Sequence, residues 1–210
     1  MTTDFVEAQR FLTLLDPSPA SVFHYQTFDD NKARKLKSLV RTGYSYGADL
    51  GALQRLAELS DNGAGVFVAI NEHIPGTARQ QANIKRIRAL TLDLDGAPRY
   101  GVDHCPLTPS IIVESSTGKY HCYWLVDGDF PQQIYAAVQR GLAERFNGDP
   151  SIAGTQHVLR LPGFLHQKHS PRMVHIIDAN GKRYTPEALI AEFPLHKWRR
   201  RTVATIPTCT

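Results

Sequence analysis

Two aspartates one residue apart, Asp93 and Asp95, interrupt the apolar run RALTLDLDG. The run otherwise reads as a buried β-strand, and side chains alternate faces along a strand. Both carboxylates therefore project from one side, with Cα atoms about 6.7 Å apart. Burying two like charges that close is unfavourable, and one neutralises unless a cation holds both. Two divalent ions about 3.5–4 Å apart suit this spacing, and phosphoryl and nucleotidyl transfer use such a pair. Taken alone, the pair has a simpler reading, an exposed strand end that caps a loop.

Two further stretches carry chemistry. In SSTGKYHCYWLV, Gly118 sits in a polar tight turn that allows close backbone approach, and amides exposed there can cradle phosphate. His121 enters the following apolar strand on the face opposite Tyr120, Cys122 and Trp124. Beside Ser115 and Lys119, its imidazole would complete a triphosphate cradle; in isolation it reads as a hydrogen-bonded core histidine. In GDPSIAGTQHVLRLPGFLHQK, Asp149 precedes Pro150 in a loop, and a third acid is what a two-metal site needs to fill its shell. Arg160 lies in a strand, where arginine is seldom buried without an anion. Lys168 follows the turn PGF. The spacing of His157, His166, His169 and His175 matches no standard zinc site and no cysteine joins them, so no zinc is expected.

The elements that must position these residues follow from periodicity and turn chemistry. Phe5, Phe11, Leu12 and Leu15 recur at helical spacing until DPSP, and SVFHYQTF reads as a strand. The basic segment 30–41 is expected to be a helix with Asp29 or Asp30 as N-cap. A helix over 48–61 ends at DNGAG, a buried strand covers 66–70, and the polar stretch 71–85 is expected to be a surface loop. Strands at 87–94, 110–115 and 120–126 follow, with a turn-rich segment at 96–109 between the first two. A helix over 131–146 leads into the Asp149 loop, a short strand within HVLRLPGFLHQK, a strand at 172–178 and a helix at 185–192. The pattern is α+β, a mostly antiparallel sheet with helices on one side.

A chain of 210 residues makes one domain, or one with a small appendage, and buries roughly 70% of its unfolded surface without covalent staples. With 42% hydrophobic and 21% charged residues, a disordered chain is excluded. No apolar stretch approaches the ~20 residues of a membrane span. The amphipathic, acidic start MTTDFVEAQRFLTLLD is not a secretory signal, so a cytoplasmic protein without membrane partners is expected. Cys105, Cys122 and Cys209 form no CxxC pair. A net charge of +4 and a pI of about 9.0 are mild pointers to a polyanionic partner. Lys32, Arg34, Lys35, Lys37 and Arg41 cluster, and Arg199–Arg201 form a run. The basic stretch 196–210 lacks apolar periodicity and is expected to be a flexible tail after a domain covering 1–195.

Read in order, these motifs resemble the archaeo-eukaryotic primase superfamily, and within it the RepB-like primase and primase-polymerase domains of plasmids, phages and prophages. LTLDLDG matches the first motif, SSTGKYHCYW the second, and Asp149 with RLPGFLHQK the third; YQTFDD and GVFVAIN are also similar. His166 stands where such domains often carry asparagine. The resemblance implies an RRM-like catalytic sheet, about residues 86–195, on a smaller N-terminal α/β unit, about 1–85. It further implies that Asp93, Asp95 and Asp149 hold two Mg²⁺ or Mn²⁺ ions. Ser115, Lys119 and His121 would contact the triphosphate, with Arg160 and Lys168 on nucleotide phosphates. Arg79, Lys85 and Arg86, near the Asp93 strand, would hold single-stranded template DNA by its backbone. The implied partners are template, nucleoside triphosphates and a replicative helicase. Two other readings stand beside it. One is a non-catalytic replication-initiation or nucleic-acid-binding module. The other is a haloacid-dehalogenase-type phosphatase, which LDLDG also resembles, although Ala97 stands where that family needs Thr or Val.

Overall fold

The computed structural model describes residues 2–168, 170–193 and 195. His169, the basic stretch 196–210 and Cys209 lie outside them. Helix α1 (Phe5–Leu15) starts at Asp4, whose carboxylate accepts from the Glu7 amide, and buries Ala8, Phe11, Leu12 and Leu15. Strands β1 (Val22–Asp29) and β2 (Arg41–Tyr46), helix α2 (Leu50–Asp61) and strand β3 (Ala64–Ala69) follow. A short antiparallel pair comes next, β4 (Glu72–His73) with β5 (Ile84–Arg86), then β6 (Ala89–Asp95) and the short helix α3 (Tyr100–Asp103). Strands β7 (Ile111–Ser116) and β8 (Lys119–Val126) precede the long helix α4 (Gln132–Phe146). The chain closes through β9 (Val158–Arg160), β10 (Leu165–His166), β11 (Arg172–Met173), β12 (His175–Ala179), β13 (Arg183–Tyr184) and α5 (Pro186–Glu192).

Two sheets result. The first runs β2-β1-β3-β9, antiparallel throughout. The second runs β12-β7-β8, with β6 antiparallel along β8 and β13 parallel to its end. One core joins α1 and α2 to the inner faces of both sheets, through Phe23, Tyr25, Val66, Val68, Val113, Tyr123 and Leu159. A second core lies behind the second sheet. There Leu90, Leu92, Leu94, Cys122 and Trp124 meet Val138 and Leu142 of α4 and Leu189 of α5. The even residues of β6 thus bind the sheet to α4, which leaves Asp93 and Asp95 on the other face.

The basic segment 30–41 departs from expectation. It holds only a 3₁₀ turn, Lys37–Leu39, before entering β2. Short polar side chains outcompete the helix by capturing local amides. Asp29 accepts from the amides of Asn31 and Leu36 and from two nitrogens of Arg34, while Asn31 accepts from the amides of Ala33 and Arg34. Lys35 then turns at φ 51°. Asp30 caps nothing; it turns inward to Arg160. The 71–85 stretch is likewise more ordered than a surface loop, because Glu72 and His73 are buried and anchor the β4–β5 pair.

Candidate active site

Strand register builds the site. Along the β6–β8 pair, Asp93 lies opposite His121 and Asp95 opposite Lys119. The Asp93 side chain is 24% exposed and that of Asp95 62% exposed. Asp95 bonds the Lys119 ammonium, which lowers its pKa. Asp93 has no such cation. Burial, then the charges of Asp95 and Asp149, push its pKa up to about 6. His121 Nε2 stands 3.8 Å from Asp93 Oδ1. The imidazole does not provide the charge, however: burial, Arg160 and His166 push its pKa down to about 3. At neutral pH it is an uncharged ring, with Nδ1 3.5 Å from the Tyr123 hydroxyl.

The third acid is brought in by α4. That helix is docked on β6 by the buried Gln139 amide, which accepts from the Thr91 N–H and donates to the Thr91 carbonyl and hydroxyl. Asn147 ends the helix in a left-handed turn. The Asp149 amide then donates to the Asp93 carbonyl at 2.9 Å. Gly148 makes this approach possible, since a Cβ there would collide with Leu92 and sit 3.0 Å from the Asp93 carbonyl oxygen. The Asp149 carboxylate accepts from the Ser151 amide and hydroxyl at 2.8 and 2.7 Å. Among the described residues no three His, Cys, Asp or Glu side chains are already gathered as a metal centre. The three acids share one end of the sheet, with Asp95 turned to Lys119 and Asp149 turned to Ser151.

Beside Asp95 opens a pocket lined by Ser116, Thr117, Lys119, His166, Lys168, Ser170 and Arg172. Lys168 acts electrostatically on Asp95. Hydroxyls and cations together suit a polyphosphate. Ser115 itself is buried, its hydroxyl donating to the Lys119 carbonyl and its own carbonyl facing His166 Nδ1 at 3.0 Å. Its neighbours Ser116 and Thr117 offer the free hydroxyls. Sequence reasoning missed these two along with Arg172 and Gly148; the polar turn SSTG was the available signal for the hydroxyls.

The remaining basic residues divide. Arg160 does have its anion, a two-pronged bond to Asp30 at 2.8 and 2.9 Å, and its guanidinium lies over the Phe67 ring. Lys85 and Arg86 are not gathered with the acids. Both bond Glu72, and Arg86 also bonds Asp16, in a network built around the buried Arg88. Arg79 is half-buried and bonds the Gln156 carbonyl.

The family model of the RepB DNA-primase N-terminal domain matches residues 56–193. The chain belongs to this family. The RepB-type assignment removes the phosphatase alternative, since the Asp93 strand lies antiparallel in a primase sheet. No curated protein matches the chain. Among solved structures, the primase-polymerase domain of cyanophage S-2L is similar at 19% identity and a TM-score of 0.75, over 92% of this chain and 100% of that one. The catalytic domain of primase RepB′, solved in complex with initiator DNA, is similar at 18% identity and a TM-score of 0.67, over 89% of this chain and 92% of that one. These likenesses establish the archaeo-eukaryotic primase fold, mixed α/β with antiparallel sheets, for this RepB-type domain. Family and fold together support a DNA primase. No helix among the described residues is long and apolar enough to cross a membrane.

Proposed function

We propose that the domain is a template-directed nucleotidyltransferase that makes primers on single-stranded DNA from nucleoside triphosphates. The observation that carries this reading is the charge imbalance at Asp93. A carboxylate held half-buried beside two others, with its pKa raised to about 6, fits a divalent cation better than it fits the protein alone. The three acids offer only hard oxygen donors, the set that Mg²⁺ or Mn²⁺ prefers. Bound divalent ions would supply activation of the attacking 3′-hydroxyl and neutralisation of the triphosphate. Asp93, Asp95 and Asp149 would hold them, with Asp95 released from Lys119 and Asp149 from Ser151.

The chain's own groups do the rest. Lys119, Lys168 and Arg172, with Ser116 and Thr117, grip the polyphosphate and orient it toward the acids. His121, kept neutral, donates from Nε2 toward an oxygen near Asp93 while Tyr123 faces its other nitrogen. Arg160, fixed by Asp30, contributes positive potential that favours the leaving pyrophosphate without being free to move.

The test is nucleotide incorporation on single-stranded templates with Mg²⁺ or Mn²⁺. The wild type should yield primers, and Asp93→Ala/Asp95→Ala should lose at least about a thousandfold in rate with DNA binding retained. A wild type that makes no product on any template with either metal would sink the reading. The second reading, a binding module with structural acids, is favoured by the fact that Asp95 and Asp149 are satisfied by Lys119 and Ser151. It predicts DNA binding indifferent to Mg²⁺ and to the double exchange, with no primer synthesis.

A further inference from the structure

The face of the first sheet turned away from the core is unusually equipped. His24 of β1 and Tyr44 of β2 are register partners, and their rings stack at 5.5 Å with 30° between planes. Tyr46 stands 6.1 Å from Tyr44, and the two tyrosines are 55% and 45% exposed. On the other side of His24 lies His73, 5.3 Å away. Both nitrogens of His24, Nε2 of His73, the Thr155 hydroxyl and Gln156 Oε1 are buried with no protein partner. They belong to one neighbourhood. His73 Nδ1 meets the Asn71 carbonyl, Asn71 donates to the Thr155 carbonyl, and Arg79 donates to the Gln156 carbonyl. His24 is 7% exposed, His73 0% and Thr155 2%.

Buried polar atoms normally find partners in the protein or in ordered water, so this group without protein partners has hydrogen bonds left to make. Burial pushes the pKa of both histidines down, that of His73 to about 4, so the rings are neutral and suit an uncharged hydrogen-bonding edge. Tyr44 and Tyr46 offer ring faces for stacking. Arg79, which has no carboxylate partner among the described residues, suits a phosphodiester. Base edge, base face and backbone charge together are the chemistry of a single strand of nucleic acid. The neighbourhood also leads to the acids, since Arg79 and Asp149 both act on His157.

We propose that single-stranded template DNA crosses this face, from Tyr46 and Tyr44 past His24 to Arg79, with its bases stacked on the tyrosine rings. The proposal rests on the primase reading above and places its template away from Lys85 and Arg86. Fluorescence anisotropy with a labelled oligothymidylate in EDTA tests it without turnover. Tyr44→Ala/Tyr46→Ala should bind roughly ten- to a hundredfold more weakly than the wild type, and Arg79→Gln should weaken binding in the same direction. Lys85→Ala and duplex competitor should leave the wild-type affinity for the single strand unchanged. Binding within twofold of wild type in both the tyrosine and the arginine variants overturns the proposal while primer synthesis by the wild type leaves the functional reading standing. A wild type that neither binds the strand nor makes primers takes both down. Tyr46→Ala alone reports the same direction if the paired exchange melts early. A concentration-dependent dimer that the tyrosine exchange dissociates would assign the face to a second copy instead and overturn the proposal.

Discussion

Two groups of acids in this domain share a burial problem and reach opposite solutions. Asp16 and Glu72 lie beneath the β4–β5 pair at 5% and 1% exposure. Burial alone would raise their pKa values, but Arg88, aided by Arg86, Lys85 and nearby amides, lowers both. Arg88 is itself 2% exposed and also donates to the Val22 carbonyl and covers the Phe23 ring. At the end of β6, Asp93 meets burial and two further acids, and its pKa rises to about 6. The first group is complete within the chain. In the second, Asp93 alone is held in an unfavourable state by the surrounding fold, which fits the cation site proposed above better than a structural ion network.

Removing the cation from the complete network should have the largest effect. Arg88→Met leaves Asp16 and Glu72 with only the half-exposed Lys85 and Arg86 as cations and frees the Val22 carbonyl, and should destabilise by about 3–5 kcal/mol. In a domain of this size that lowers the melting temperature by roughly 6–20 °C. A loss below about 1 kcal/mol in urea titrations would erase the contrast. The opposite sign is expected at the other group. Because Asp93 ionises at higher pH in the fold than its ordinary 3.8, the fold loses stability as pH rises from about 4 through 6. Asp93→Asn escapes that penalty and should stabilise the metal-free protein by on the order of 1–3 kcal/mol at pH 7.5. The gain should fade toward pH 4, and divalent ions should raise the melting temperature of the wild type only. A variant less stable than wild type at pH 7.5 would contradict the picture. The smallest effect belongs to the network's rim. Lys85, with its side chain 55% exposed, should tolerate Lys85→Ala within about 1 kcal/mol, read by the same melts.

The difference between the two groups is not written in residue types. RALTLDLDG shows that Asp93 and Asp95 share a face, because strand alternation is local, and the motif order led to the family. It does not show that Glu72, in a stretch without periodicity, is buried against an arginine sixteen positions on. Nor does it show that Lys85 and Arg86, expected from charge and proximity to contact template, are paired with Glu72 and Asp16. The helix expected over 30–41 failed for a related reason. Its basic residues have good helix propensity, but Asp29 and Asn31 bind backbone amides locally and Arg34 is drawn to Asp29. Asp149 was found as a residue, whereas its placement depends on Gly148 and on a bond to Asp93 that crosses fifty-six positions of sequence.

Strand β9 belongs by sequence to the later half of the chain, yet it completes the first sheet by pairing with β3 from Phe67↔Arg160 to Ala69↔Val158. The segment returns from the acids at Asp149 to the sheet on which the template is proposed to lie, while α1 packs its Phe11 on Tyr123 of the other sheet at 5.3 Å. The two sheets are thus laced from both directions. A jaw-like opening would have to break a hydrogen-bonded ladder, and severing the chain near residue 85 would leave each half without an element that the other supplies. Successive nucleotides would be threaded through a fixed frame, with adjustment confined to side chains and to the loops around the acids.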